Sequence, residues 1–128
     1  MGYYFSKTLN ISFDQATKKV KEDLSKEGFG VLTEIDVKET LKKKLNVDFQ
    51  KYIILGACNP TFAYQALQAE DKIGTMLPCN VILQEREDGS VEVSAIDPIA
   101  SMQAIDNPNL RPIAQQVQQK LKTVIDQL

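Results

Sequence analysis

The chain has 128 residues, a net charge of −2, 43% hydrophobic and 25% charged residues, and no histidine. At that length the simplest reading is a single domain over 1–128, long enough to bury about two-thirds of its unfolded surface. The missing histidine excludes Ser-His-Asp and Cys-His nucleophile systems and every His-containing zinc motif. The near-neutral charge gives no field to draw nucleic acid, and no apolar run reaches the ~18–20 residues of a membrane span.

The N-terminal segment lacks the basic, apolar and small-residue sections of a signal peptide, so a cytoplasmic protein is expected. Gly2 and Ser6 loosely fit an acylation pattern, but Tyr3–Ile11 reads better as a half-buried strand. It sets Tyr3, Phe5, Leu9 and Ile11 on one side and Tyr4, Ser6, Thr8 and Asn10 on the other. Ser12 and Gln15 then form a capping box. Phe13, Ala16, Val20 and Leu24 make an apolar helical stripe, and Gly28 supplies the stop. A strand "FGVLTEID" follows, with Phe29, Val31 and Ile35 expected on its inner face. Asp36 and Glu39 cap a weakly amphipathic helix through Val37, Leu41 and Leu45. The lysines at 18, 19, 21 and 42–44 are interspersed with acids: Asp14 precedes Lys18 by four, and Glu39 precedes Lys43 by four. That spacing marks solvated helix faces rather than a phosphate-binding patch.

"KYIILGAC" is a buried strand. Asn59 is expected to cap the next helix, with Pro60 at its first position, and residues 71–78 form a turn-rich connector. "CNVILQERE" and "SVEVSAID" form a hairpin at Asp88-Gly89. A two-residue loop would mix apolar and polar faces. A three-residue loop, Glu87-Asp88-Gly89 with Gly89 left-handed, pairs Leu83 with Val93 and Val81 with Ala95 and keeps the core face apolar. The same register sets Cys79 opposite Asp97. An irregular stretch to Asn107 precedes a final helix carrying Leu110, Ile113, Ala114, Val117, Leu121, Val124, Ile125 and Leu128 on one side. Strands and helices do not alternate strictly, so the expected class is α+β: an antiparallel sheet with helices packed on one face.

At "YIILGACNPTFAYQAL", "GTMLPCNV", "DGSVEV" and "DP" the sequence resembles the prokaryotic family named domain of unknown function 302, and the likeness runs nearly end to end. The resemblance implies a TATA-binding-protein-like fold, a strand-helix-four strands-helix core in which residues 37–45 and 60–70 are inserted helices. It also implies a homodimer. It supplies no established activity and leaves any cofactor unknown, and the fold name does not carry DNA binding with it.

Both cysteines of the chain, Cys58 and Cys79, precede an Asn and sit at strand ends. Were residues 59–78 a crossover between parallel strands, the two would lie some 20 Å apart. Were the strands antiparallel neighbours, as the resembling fold implies, Cys58, Asn59, Cys79, Asn80 and Asp97 would gather at one end of the sheet. Packing is the simpler account of both cysteines, since free Cys is among the most buried residue types. The functional account makes this corner a small-ligand site in a binding or accessory module. The alternative is thiol redox or soft-metal chemistry: Cys58, beside a helix N-terminus, as the more reactive thiol, and Cys79, its ionisation opposed by Asp97, as a resolving partner. Two sulfurs with one carboxylate make an incomplete zinc set, so no metal site is expected.

Overall fold

The computed structural model describes residues 2–128. Five strands form one antiparallel sheet in the order β1-β5-β4-β3-β2. They are β1 (Tyr4–Leu9), β2 (Gly30–Asp36), β3 (Tyr52–Cys58), β4 (Cys79–Glu85) and β5 (Val91–Ile96). The helices are α1 (Phe13–Lys26), α2 (Val37–Leu45), α3 (Pro60–Ala69), the single turn α4 (Pro98–Ser101) and α5 (Arg111–Gln127), with a 3-10 helix at Asp71–Met76. The expected α+β class and the strand-helix-four strands-helix order are both present.

The local signals act as their chemistry dictates. Ser12 Oγ accepts from the Gln15 N–H at 3.1 Å, and the Gln15 side chain accepts from the Ser12 N–H at 3.2 Å. At the far end of α1, Gly28 (φ +85°) lets its own N–H reach Ser25 O and the Phe29 N–H reach Leu24 O. Both orphan carbonyls are thereby satisfied through a left-handed residue. We expect Ser12→Ala to lower unfolding free energy by about 1 kcal/mol, read as a lower urea midpoint at unchanged slope.

The hairpin adopts the three-residue loop. Leu83 pairs with Val93 and Val81 with Ala95, the Arg86 N–H donates to Ser90 O, and Gly89 has φ +85°. Asp88 Oδ1 accepts from both the Ser90 N–H (2.9 Å) and its hydroxyl (2.6 Å). Those bonds hold its carboxyl below the usual carboxylate range.

The apolar faces converge as their periods require. Phe13, Ala16, Val20 and Leu24 of α1 meet Val117, Leu121, Val124 and Ile125 of α5 over Leu55, Val81, Leu83, Val91, Val93 and Ala95 of the sheet. A second, smaller cluster of Ala66, Ile73 and Leu110 lies beneath α3. Lys7 ties β1 to the end of α5 by donating to Leu128 O (2.6 Å) and Asp126 O (3.1 Å), a cation placed where helix carbonyls are unpaired.

Several expectations are corrected. β1 starts at Tyr4, and Tyr3 stacks edge-to-face on it. The stretch after Asp97 contains the turn α4. Ile35 is 47% exposed rather than inward. The reason is a bulge in edge strand β2: Val31 pairs with Ala57 but Thr33 with Gly56, so Leu32 is unpaired and the alternation reverses. Ile35 then pairs with Ile54 on the uncovered face of the sheet. Glu39 and Lys43 make the expected ion pair at 2.9 Å. Asp14 and Lys18 make none among the described residues; Lys19 pairs with Asp23 and Lys21 with Glu34 instead. No helix among the described residues is long and apolar enough to cross a membrane.

Candidate functional site

β3 and β4 are antiparallel neighbours, with Ala57 opposite Cys79 and Gly56 opposite Asn80. The chain therefore leaves the sheet at Cys58 and returns at Cys79 on the same end, and residues 59–78 fold back over that end. Along this excursion Phe62 packs on the main core and Ala66 on the smaller cluster, which draws α3 against the first turns of α5. Between them lies a cavity of about 40 Å³, taken as space for the centre of a water-sized sphere. Its floor is Phe29, Ala57 and Cys79. Its walls are Phe62, Ala63 and Ala66 of α3 and Leu110, Ile113, Ala114 and Val117 of α5, and its rim is Cys58, Asn59, Leu77, Pro78, Pro98 and Met102. No charged side chain among the described residues lines it.

Both cysteines are free thiols and both border this cavity. Cys79 is only 8% exposed. Burial, and secondarily the nearby Cys58, push its thiol from 9.0 up to about 11. The direction agrees with the sequence expectation but the cause does not: Asp97 is engaged elsewhere. Its Oδ1 accepts from the Ile99 N–H (3.0 Å), capping α4, and from Gln118 Nε2 (3.1 Å) of α5. The Val81–Ala95 pair ends the β4–β5 ladder, so no Cys79–Asp97 pair forms. Cys58 pairs with Gly30 on β2. Because Cys79 shares a rung with Ala57, the pleat sends the Cβ of Cys58, one residue on, to the opposite side of the ladder. The two thiols are neighbours, but their Cα–Cβ bonds diverge.

Asn59 occupies the N-cap position of α3 without capping it. Its Nδ2 instead donates to Glu27 O at 3.3 Å, tying the β3–α3 junction to the end of α1. Gly28 makes room for this contact, since a Cβ there would stand 3.0 Å from that nitrogen.

Asn80 belongs to another surface. It is exposed and borders a groove of about 570 Å³ on the uncovered sheet face, with Tyr4, Tyr52, Ile82, Gln84 and Ser94. The five residues singled out in the sequence are thus distributed: Cys58, Cys79 and Asn59 at the cavity, Asp97 just behind it in a structural cap, and Asn80 on the far face. Phe62, Ala63, Ala66 and Met102 complete the cavity and had no distinguishing sequence signal, being apolar residues at ordinary helical or loop positions. Among the described residues no group of three or more His, Cys, Asp or Glu could hold a metal ion.

This is an α+β protein with one antiparallel sheet, helices over a single face, and a small apolar cavity where two central strands end. Residues 5–128 match the model of the family described as domain of unknown function DUF302. The chain belongs to that family. It is also similar to the crystal structure of an uncharacterized conserved protein DUF302 from Bacillus stearothermophilus, with 26% identity, a TM-score of 0.91 and 98% of each chain covered. No curated protein matches.

Proposed function

We propose that the chain acts as one domain, in the cytoplasm, as a homodimeric small-ligand-binding or accessory module. Its ligand site is the cavity under α3, bordered by Cys58 and Cys79. One observation carries the reading: an uncharged hollow persists between α3, α5 and the strand ends, where interiors are normally filled to near-crystalline density. The dimer is supported by the uncovered sheet face, where Tyr4 and Ile35 are exposed and Tyr52, Ile54 and Ile82 half-buried. These aromatic and aliphatic side chains stand among Asn80, Gln84, Glu92 and Ser94, a mixed face of the sort an isologous interface can bury.

The thiol-dependent alternative has less support. A disulfide needs converging Cβ positions, whereas the rung shared by Ala57 and Cys79 directs the two cysteines apart.

Ligand-observed NMR against a fragment library tests the reading on wild type and on Ala114→Leu, which fills the cavity. Fragments that bind wild type and are lost in a variant of unchanged circular dichroism support it. Fragments that bind both equally place the site elsewhere and overturn it. Light scattering coupled to size exclusion should give twice the 14.3 kDa chain mass; a monomer mass removes the dimer from the proposal.

A further inference from the structure

Building on that reading, we infer that the cavity takes a compact, neutral, apolar molecule of only a few heavy atoms and rejects ions of the same size. Three features of the hollow lead there. Its volume of about 40 Å³ for sphere centres exceeds the ~10–15 Å³ that one water requires, yet falls far short of a drug-sized pocket.

Its polar equipment is minimal. The Asn59 Nδ2 is engaged by Glu27 O, and among the described residues no side chain at the cavity carries a charge. A water needs two to four polar partners to be held, and an ion needs a counter-charge or several hydrogen bonds. Neither set is available, so the hollow favours an occupant that gives up little hydration on entering.

The third feature is softness. Phe29, Phe62, Met102 and the protonated thiol of Cys79 present polarisable atoms suited to dispersion contacts with sulfur, halogen or a noble gas. The Cys79 side chain is more than nine-tenths buried and makes no hydrogen bond among the described residues. Its S–H is therefore free to serve as a weak donor at the cavity, which the thiol of Cys58 also borders.

The test uses full-length protein with ¹³C-labelled Ala and Met methyls, titrated separately with xenon, dimethyl sulfide, acetate and methylammonium. Xenon and dimethyl sulfide should shift Ala57, Ala63, Ala66, Ala114 and Met102 saturably. For so few heavy atoms the ceiling on affinity sets the dissociation constant no tighter than about 0.5 mM. Acetate and methylammonium should leave these methyls in place. Ala114→Leu, or Ala63→Leu should the first variant fail to fold, should abolish the xenon and dimethyl sulfide shifts.

Equal shifts from the ions overturn the neutral-ligand inference and leave the cavity as the binding site. Silence toward xenon and dimethyl sulfide also overturns it; cavity-dependent hits from the larger fragments would then show the site to be right and the class wrong. Silence toward every probe overturns both.

Discussion

Treated with iodoacetamide at pH 8, native protein should be modified at Cys79 at least about a hundredfold more slowly than the same residue in urea. The reactive species is the thiolate. A thiol pushed from 9.0 to about 11 has a thiolate fraction roughly a hundredfold lower at that pH, and burial removes access as well. Peptide mass spectrometry over a time course separates Cys79 from the half-buried Cys58. Equal labelling of Cys79 in native and unfolded protein would contradict the buried environment on which the cavity depends.

The same shift has a thermodynamic signature. The unfolded thiol gives up its proton near pH 9, whereas the folded one holds it to about pH 11. The raised folded value therefore contributes stability that is fully present below pH 9 and is lost as pH rises through 11. The drop should total about 3 kcal/mol across that window. Lysines and tyrosines titrate there too, so the comparison is with Cys79→Ala, which lacks this component alone. Denaturation at pH 8.5 and 10.5 should show the wild type losing the larger amount; parallel losses would remove the assigned cause.

Legibility in the sequence follows the range of the interaction that decides each feature. The capping box at Ser12 and Gln15, the Gly28 stop and the register around Gly89 were readable because each is settled within a few residues. The α5 stripe was readable because one face of one helix must be apolar. Ile35 was not, because the bulge at Leu32 depends on how β2 meets β3. Asn59 was not, because its observed partner, Glu27 O accepting from Nδ2, lies 32 residues earlier. The cavity was invisible for a different reason. Its residues are the expected apolar ones, and a void is a shortfall in their combined volume. Asn80 is instructive in the other direction. Adjacent residues of one strand face opposite sides, so alternation alone denies Cys79 and Asn80 a shared surface.

Gly56 is where the candidate site is most exposed to a single substitution. It lies on β3 between Thr33 of β2 and Asn80 of β4. A Cβ built there would collide with Thr33 Oγ1 and come within 2.8 Å of Pro78 Cγ. Neither neighbour is the far end of a flexible chain. Thr33 is β-branched and follows the bulge, and Pro78 is a rigid ring directly preceding Cys79. Relief must come from moving the β3–β4 junction, which forms the cavity floor through Ala57 and Cys79. We expect Gly56→Ala to cost about 1–3 kcal/mol, as overpacking does, and Gly56→Val more. The alanine variant should also raise the alkylation rate of Cys79, because the strand that buries it is displaced. Gly30→Ala is the matched control: it stands on neighbouring β2, and an added Cβ there meets nothing within 4 Å. Urea midpoints should separate the two alanine variants by more than the scatter of ordinary surface substitutions, about 0.5 kcal/mol. Equal midpoints would mean that Thr33 and Pro78 yield freely, and the junction would then not be the tightly packed floor on which the proposed site rests.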